Sequence, residues 1–432
     1  MSVRLLDPVG AMELVDRINL DAEFGLVSRD MRLHLCLEIG PHKRLIRFVD
    51  GKALSIAPPV PMAEPVDVTI RGGTEFWDTL LSPHPPQGYQ NLYAGVRFKT
   101  CEMSGNSELY FAYFAAITRL IELMQEQQNC PAPMQKSAAA PRVRFETTRG
   151  GYVYLDIEGI EHRVYFEEAG EGIPMVCQHT AGSDGQQFRQ FLVDPDITAK
   201  YRVIVPDLPY HGKSLPPESV EWWAQEYRLT RSFFVAFHLA FARALNLDRP
   251  VIIGSSMGGS IAIDLALDAP DDYRAAIALE EGLRSVKASH EEKMASFRYY
   301  RHPRVNGGER AGASMYCLSG PNSPKKYRHE VSWGYSQGAP GIFAGDLYYR
   351  HLDHDMEAAA RNIDTSRCPV YIMNGEYDPG TGIPEGQELA AHIKGSRFIP
   401  MKGLGHFPMT EDFASMKPLL MPVLEEIAAR QS

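Results

Sequence analysis

The sequence predicts an α/β protein in two parts: a small α+β unit over residues 1–124, a linker over 125–144, and a larger unit over 145–432 built on a mostly parallel sheet. Three observations lead there. Beyond residue 145, short apolar runs alternate with helical patterns, the order expected when each strand crosses over a helix to a parallel neighbour. Before residue 125, alternating strands follow one another through hairpin turns. Between them, QEQQNCPAPMQKSAAAPR combines prolines and consecutive alanines with little periodicity, as linkers do.

In the first unit Arg32–Ile39 alternates, Gly40-Pro41-His42 turns, and Leu45–Val49 returns before Asp50-Gly51, a hairpin signal. Val66–Ile70 alternates again. Thr74 is placed to cap a helix through Phe76, Trp77, Leu80 and Leu81. Val96–Met103 reads as a further strand, and Glu108–Met124 repeats Leu109, Tyr113, Ile117, Leu120 and Ile121 at helical spacing. In the second unit, strands are expected at Val164–Ala169, Pro174–Gln178, Tyr201–Pro206, Val251–Gly254, Ala275–Leu279, Val370–Asn374 and Ser396–Pro400, with a long apolar helix at Arg231–Leu245. About ninety residues separate the strands at Ala275 and Val370, too many for a plain connection. This insertion, Leu283–Asp364, has the place of a cap. Its aromatic residues include Phe297, Tyr300, Tyr335 and Phe343; most must form its own core, and a pocket roofed by aromatic side chains would suit an apolar or aromatic substrate group. Its cations, such as Arg298, Arg301 and Lys325, read first as solvated charge, one of which could hold a substrate carboxylate.

Composition narrows the partners. The 432 residues carry 44 Lys and Arg against 54 Asp and Glu, a net charge of −10. Such acidity argues against a nucleic-acid groove and an anionic membrane surface. Six scattered cysteines without a CxxC pair suit neither a zinc site nor a disulfide framework. Met1–Leu20 interleaves charges with apolar residues, unlike a signal peptide. No run reaches the roughly 18 apolar residues of a membrane helix. The expectation is a reduced cytoplasmic protein without membrane insertion, acting on a small-molecule substrate and needing no cofactor or metal.

The strongest chemical signal is Gly254-Ser255-Ser256-Met257-Gly258, a G-x-S-x-G turn between an apolar strand and the helix pattern Ser260–Leu267. Such a turn lifts Ser256 out as a nucleophile, while Ser255, one position early, should point elsewhere. A serine needs a base and the base an orienting acid. Asp378 follows the strand at Val370–Asn374, and His406 follows the last strand between Gly405 and Phe407, giving the order Ser, acid, His. Glu376 and, at the end of the strand Ala275–Leu279, Glu280 and Glu281 are the competing acids, with Asp378 favoured. Gly212-Lys213-Ser214 lacks the earlier glycine of a phosphate loop, since position 207 is Asp. His351, Asp353, His354 and Asp355 lack metal-ligand spacing and read as a solvated face, and Cys177 and Cys317 as packing residues.

Four segments, HTAGSD at 179–184, DLPYHGKS at 207–214, GSSMGGS at 254–260 and NGEYD with GHFPMTE at 374 and 405, make the second unit resemble the α/β-hydrolase superfamily. That resemblance implies an oxyanion hole from the backbone N–H of Met257 and one from the loop after the second strand. The loop normally reads His-Gly and then the donor. Here it is His179-Thr180-Ala181-Gly182, so Ala181 becomes the donor, Thr180 replaces the glycine, and its hydroxyl could itself contribute. A serine nucleophile sets the chain apart from dehalogenases and most epoxide hydrolases, which use Asp. Residues 15–124, with Asp50-Gly51-Lys52, VDVTIRG and TEFWDTLL, resemble sterol-carrier-like lipid-binding domains; a packing or dimerisation module is the plainer reading. The expected function is hydrolysis of an ester, thioester or lactone. A C–C hydrolase of a diketone-like metabolite with the same triad is the alternative, and a lipid-binding protein with an inactive hydrolase unit is the third reading.

Overall fold

The computed structural model describes residues 3–60, 65–129, 145–283, 295, 297–339 and 341–430. The chain divides into two compact units, Met1–Val143 with His302–Cys317, and Arg144–Arg301 with Leu318–Ser432. Of the linker, residues 130–144 lie outside the described residues, and 125–129 end the helix Phe114–Asn129. Among the described residues no helix is long and apolar enough to cross a membrane.

The first unit holds a five-stranded sheet of β1 (Leu33–Ile39), β2 (His42–Val49), β3 (Lys52–Ala57), β4 (Val68–Gly72) and β5 (Glu102–Gly105), in the order β3-β2-β1-β4-β5. Only β1 and β4 pair in parallel. Side chains from β1, β2 and β4 join Phe76, Trp77, Leu120 and Ile121 in one core, where the Trp77 indole N–H donates to the Glu38 carbonyl at 2.8 Å. Three expectations are corrected here. Val96–Met103 is not a strand: Asn91 accepts from Ala94 N at 2.9 Å and starts a helix over Leu92–Arg97, leaving only β5 extended. Thr74 is the first helical residue, and Gly73 before it offers no side-chain cap. The cap does not run unbroken through Leu283–Asp364, because its helix Gly307–Tyr316 belongs to the first unit. Ala313 and Cys317 enter that unit's core, the Tyr316 hydroxyl donates to Glu122 at 2.7 Å, and Asn91 donates to the Cys317 carbonyl at 2.7 Å.

The second unit holds an eight-stranded sheet of β6 (Arg149–Ile157), β7 (Ile160–Ala169), β8 (Ile173–Gln178), β9 (Tyr201–Pro206), β10 (Val251–Ser255), β11 (Ala275–Leu279), β12 (Val370–Gly375) and β13 (Arg397–Met401). Their order is β13-β12-β11-β10-β8-β9-β7-β6. From β9 to β13 neighbours are parallel, and β6 and β7 close the far edge antiparallel. β10 and β11 are buried along their whole length, as the centre of a parallel sheet covered on both faces requires. Because β8, β10, β11, β12 and β13 run the same way, the turns that leave them gather at one edge of the sheet. That edge is where a doubly covered sheet presents its chemistry.

Candidate active site

At the end of β10 the backbone turns sharply. Ser256 has φ 56° and ψ −114°, a left-handed conformation that costs a serine strain, and the helix Met257–Asp268 begins on the next residue. Close packing enforces the turn: a Cβ on Gly254 would strike the backbone of Gly258, and one on Gly258 would strike the Gln178 and His179 carbonyl oxygens. Strand, helix and the loop after β8 therefore meet at van der Waals distance around Ser256. Ser256 is 5% exposed, and its hydroxyl has no hydrogen-bond partner among the described residues. Ser255 is fully buried, and its hydroxyl has no hydrogen-bond partner among the described residues.

Two turns further along the edge, Asp378 and His406 meet directly. Nδ1 of His406 lies 2.6 Å from Oδ2 of Asp378. The carboxylate also accepts from Gly380 N at 2.7 Å and from the Thr381 hydroxyl at 2.8 Å. Burial alone would push the Asp378 carboxyl up; the His406 ring and these donors outweigh it and hold the group well below the usual carboxylate range. Two of the three competing acids are committed elsewhere. Glu376 accepts from Gly403 N at 3.0 Å, and Glu281 binds the Arg350 guanidinium at 2.8 Å and the Ser260 hydroxyl at 2.7 Å. No direct hydrogen bond joins Ser256 to His406; such contacts are often long in free enzymes and tighten with substrate.

The loop after β8 is pinned at every position but one. His179 accepts from Leu208 N at 3.1 Å through Nε2, so its Nδ1–H donates to the Thr180 carbonyl at 2.8 Å. Thr180 N donates to Gln187 Oε1 at 2.9 Å, and its hydroxyl is engaged with Gln187 at 3.1 Å and the Tyr335 hydroxyl at 2.5 Å. The Thr180 hydroxyl is thus spent on structure, which corrects the expectation that it could serve an oxyanion. Gly182 N donates to Asp346 Oδ2 at 2.7 Å. Ala181 N–H and Met257 N–H, both buried, have no acceptor among the described residues.

Sequence reasoning missed two residues that hold these loops. Asp346 is fully buried and accepts from Gly182 N, from His211 at 2.8 Å and from the Tyr227 hydroxyl at 2.7 Å. Burial alone would lower the His211 pKa, but the Asp346 charge outweighs it and raises it. Glu411, also fully buried, accepts from Gly405 N at 2.5 Å and Phe407 N at 3.4 Å, on either side of His406. Burial pushes its carboxyl up. Asp346 is a lone acid within an apolar run, the one signal in the sequence that marked it, whereas Glu411, next to Asp412, carried none. Asp346→Ala, which strands three buried donors, is expected to cost about 3 kcal/mol of stability in urea unfolding.

The other motifs carry no site. His354 is bonded to Asp264 at 3.1 Å, Asp353 accepts from Arg231 N, and Asp355 caps a short helix, so they do not converge on a cation. Lys213 N and Gly185 N hold Asp207, and the Ser214 hydroxyl donates to the Asp207 carbonyl, which makes that segment a structural corner.

A model of the alpha/beta hydrolase fold matches residues 173–413. The 30 kDa subunit of magnesium chelatase from Rhodobacter capsulatus is 34% identical over 109 residues, 23% of this chain and 32% of the relative. A 2-hydroxy-6-oxo-6-phenylhexa-2,4-dienoate hydrolase from Burkholderia cepacia is 27% identical over 129 residues, 29% of this chain and 43% of the relative. The chain therefore spans less than half the length of these relatives. A thermophilic esterase from Thermogutta terrifontis superposes with a TM-score of 0.56 at 20% identity, over 64% of this chain and 99% of the esterase.

Proposed function

The chain belongs to the α/β-hydrolase family, and from that premise we propose that it is a serine hydrolase cleaving an ester-type bond through Ser256, His406 and Asp378. One observation carries the reading: the His406–Asp378 hydrogen bond, on a fully buried carboxylate, lies at the same sheet edge as a strained serine whose hydroxyl has no partner among the described residues. Asp378 accepts the Nδ1–H of His406, which leaves Nε2 as the basic nitrogen. That nitrogen takes the Ser256 proton as Oγ attacks the substrate carbonyl. Ala181 N–H and Met257 N–H stabilise the oxyanion that forms. His406 then returns the proton to the leaving oxygen. Water, activated by the same nitrogen, releases the acid and restores Ser256.

An apolar or aromatic acyl group is supported by a chain of rings running towards His406. Phe297, Tyr300 and Tyr335 pack on Phe343 at 5.7, 5.4 and 5.7 Å between centroids, Tyr335 packs on Phe407 at 5.6 Å, and Phe407 on His406 at 4.9 Å. Cleavage of a C–C bond in a diketone-like dienoate is the second reading, supported by the name of the Burkholderia cepacia relative. Initial rates on p-nitrophenyl esters of increasing chain length, set beside a 2-hydroxy-6-oxo-dienoate, test the choice. Turnover of esters with a chain-length optimum is expected; turnover of the dienoate alone would move the reaction to C–C cleavage.

A further inference from the structure

Behind Asp378 lies a carboxyl group for which the proposed mechanism has no use. Glu280 follows β11, is fully buried, and adopts φ 52°, a left-handed conformation that a glutamate reaches only under constraint. Its backbone is held from three sides: Glu280 N donates to the Met373 carbonyl at 3.0 Å, and its own carbonyl accepts from the Thr381 hydroxyl at 2.8 Å and from Arg350 at 3.3 Å. The turn directs the side chain towards the loop after β12, where both carboxyl oxygens lie 2.9 Å from Gly375 N, beside the Asp378 carboxyl group. Ligand atoms of Glu280, Asp378 and His406 all lie within 4.8 Å of one another. The Asp378–His406 bond already fills the middle of that cluster.

Two carboxyl groups buried this close together are best held by a shared proton, since two bare carboxylates repel and neither has a hydrogen to donate. We propose that Glu280 is a positioning residue for the triad: its carboxyl O–H donates to the Asp378 carboxylate, its other oxygen accepts from Gly375 N, and the pair fixes Asp378 against His406. This inference rests on the reading of Asp378 and His406 as triad members. The surroundings keep the proton on Glu280. Burial pushes its carboxyl well up, the Asp378 charge adds to the shift, and the Glu411 carboxyl adds a further increment. Among the described residues no cation pairs with this carboxyl: Arg350 spends its charge on Glu281 and reaches only the backbone carbonyl of Glu280. His406 donates to Asp378, whose own carboxyl is held low. The proton therefore belongs to Glu280. Thr381 works with it, since its one hydroxyl bridges the Glu280 carbonyl and Asp378 Oδ2, both at 2.8 Å.

The test uses the full chain with Glu280→Gln, which reproduces a neutral acid, and Glu280→Leu, which removes both hydrogen-bonding groups. A glutamate that folds protonated makes the native state bind a proton the unfolded chain releases above about pH 4.3, so wild-type stability falls as pH rises. Glutamine has no such proton. The melting temperature of Glu280→Gln relative to wild type is therefore expected to climb steadily between about pH 5 and 8. Its kcat/KM on esters should stay within about threefold of wild type, while Glu280→Leu loses kcat by about a hundredfold with KM little changed. A melting difference that is flat or falls with pH would show Glu280 folded as the carboxylate and overturn the proposal. Wild-type turnover by Glu280→Leu would show that the residue positions nothing. If Glu280→Leu does not fold, the melting profile of Glu280→Gln alone decides. Failure of the triad reading looks different: Ser256→Ala would then turn over esters like wild type, whatever the melting profiles report.

Discussion

Ser256→Ala is expected to lower kcat on the best ester by about 10⁶-fold while leaving KM within a small factor. The size follows from what the hydroxyl does. Without Oγ there is no acyl-enzyme, and His406 has no proton to take, so the imidazole and Asp378 lose their purpose together. What survives is the binding pocket and the two backbone donors at Ala181 and Met257, which can still favour direct attack by water. Fold stability should barely move, because the hydroxyl makes no hydrogen bond among the described residues and the strained backbone is kept by Gly254 and Gly258. Rates on a p-nitrophenyl ester with parallel thermal melts check both halves of this expectation.

Asp378→Asn is the second large effect, a loss of about 10⁴-fold in kcat. Asparagine can keep one oxygen on Gly380 N, where Asp378 accepts at 2.7 Å, only by turning its amide NH₂ towards His406. A donor facing Nδ1 forces the ring proton onto Nε2, the atom that has to accept from Ser256. The catalyst is then intact in shape and wrong in tautomer. Stability changes with pH as well. Asp378 lies below its ordinary range in the folded state, so it contributes stability that is present above the unfolded carboxylate pKa of about 3.9 and is lost as pH falls below that value. Asp378→Asn should flatten that acid loss, and urea unfolding at a series of acidic pH values measures it.

How much of this was legible in the sequence depended on whether a feature is local. The elbow was readable because a fully buried parallel strand is a bare apolar run and the turn after it tolerates only small residues, so Val251–Gly258 states its own geometry. His406 and Asp378 were readable through their places after the last two strands, although the bond between them belongs to the fold. Asp378 prevailed over Glu281 for a reason no spacing reveals: Arg350, far along the chain, neutralises Glu281. Glu411 was invisible as a functional group because an acid in a sequence reads as solvated, and only tertiary packing buries it; Glu280 stood out as a competing acid, yet only packing sets it beside Asp378. In the first unit, Val96–Met103 looked like a strand because its apolar residues alternate, yet Asn91 offers a cap and tips the segment into a helix. The helix Gly307–Tyr316 lies in the middle of the expected cap, and nothing local marks it as part of another core.

The central claim is that Ser256 is the nucleophile activated by His406. Its most direct measurement is mass spectrometry of the whole protein and its peptides after a fluorophosphonate, which reacts only with an activated serine. The account predicts one adduct per chain, located on Ser256, absent from Ser256→Ala and strongly slowed in His406→Ala. An unmodified protein, or an adduct on Ser255 or elsewhere that survives in Ser256→Ala, would contradict it.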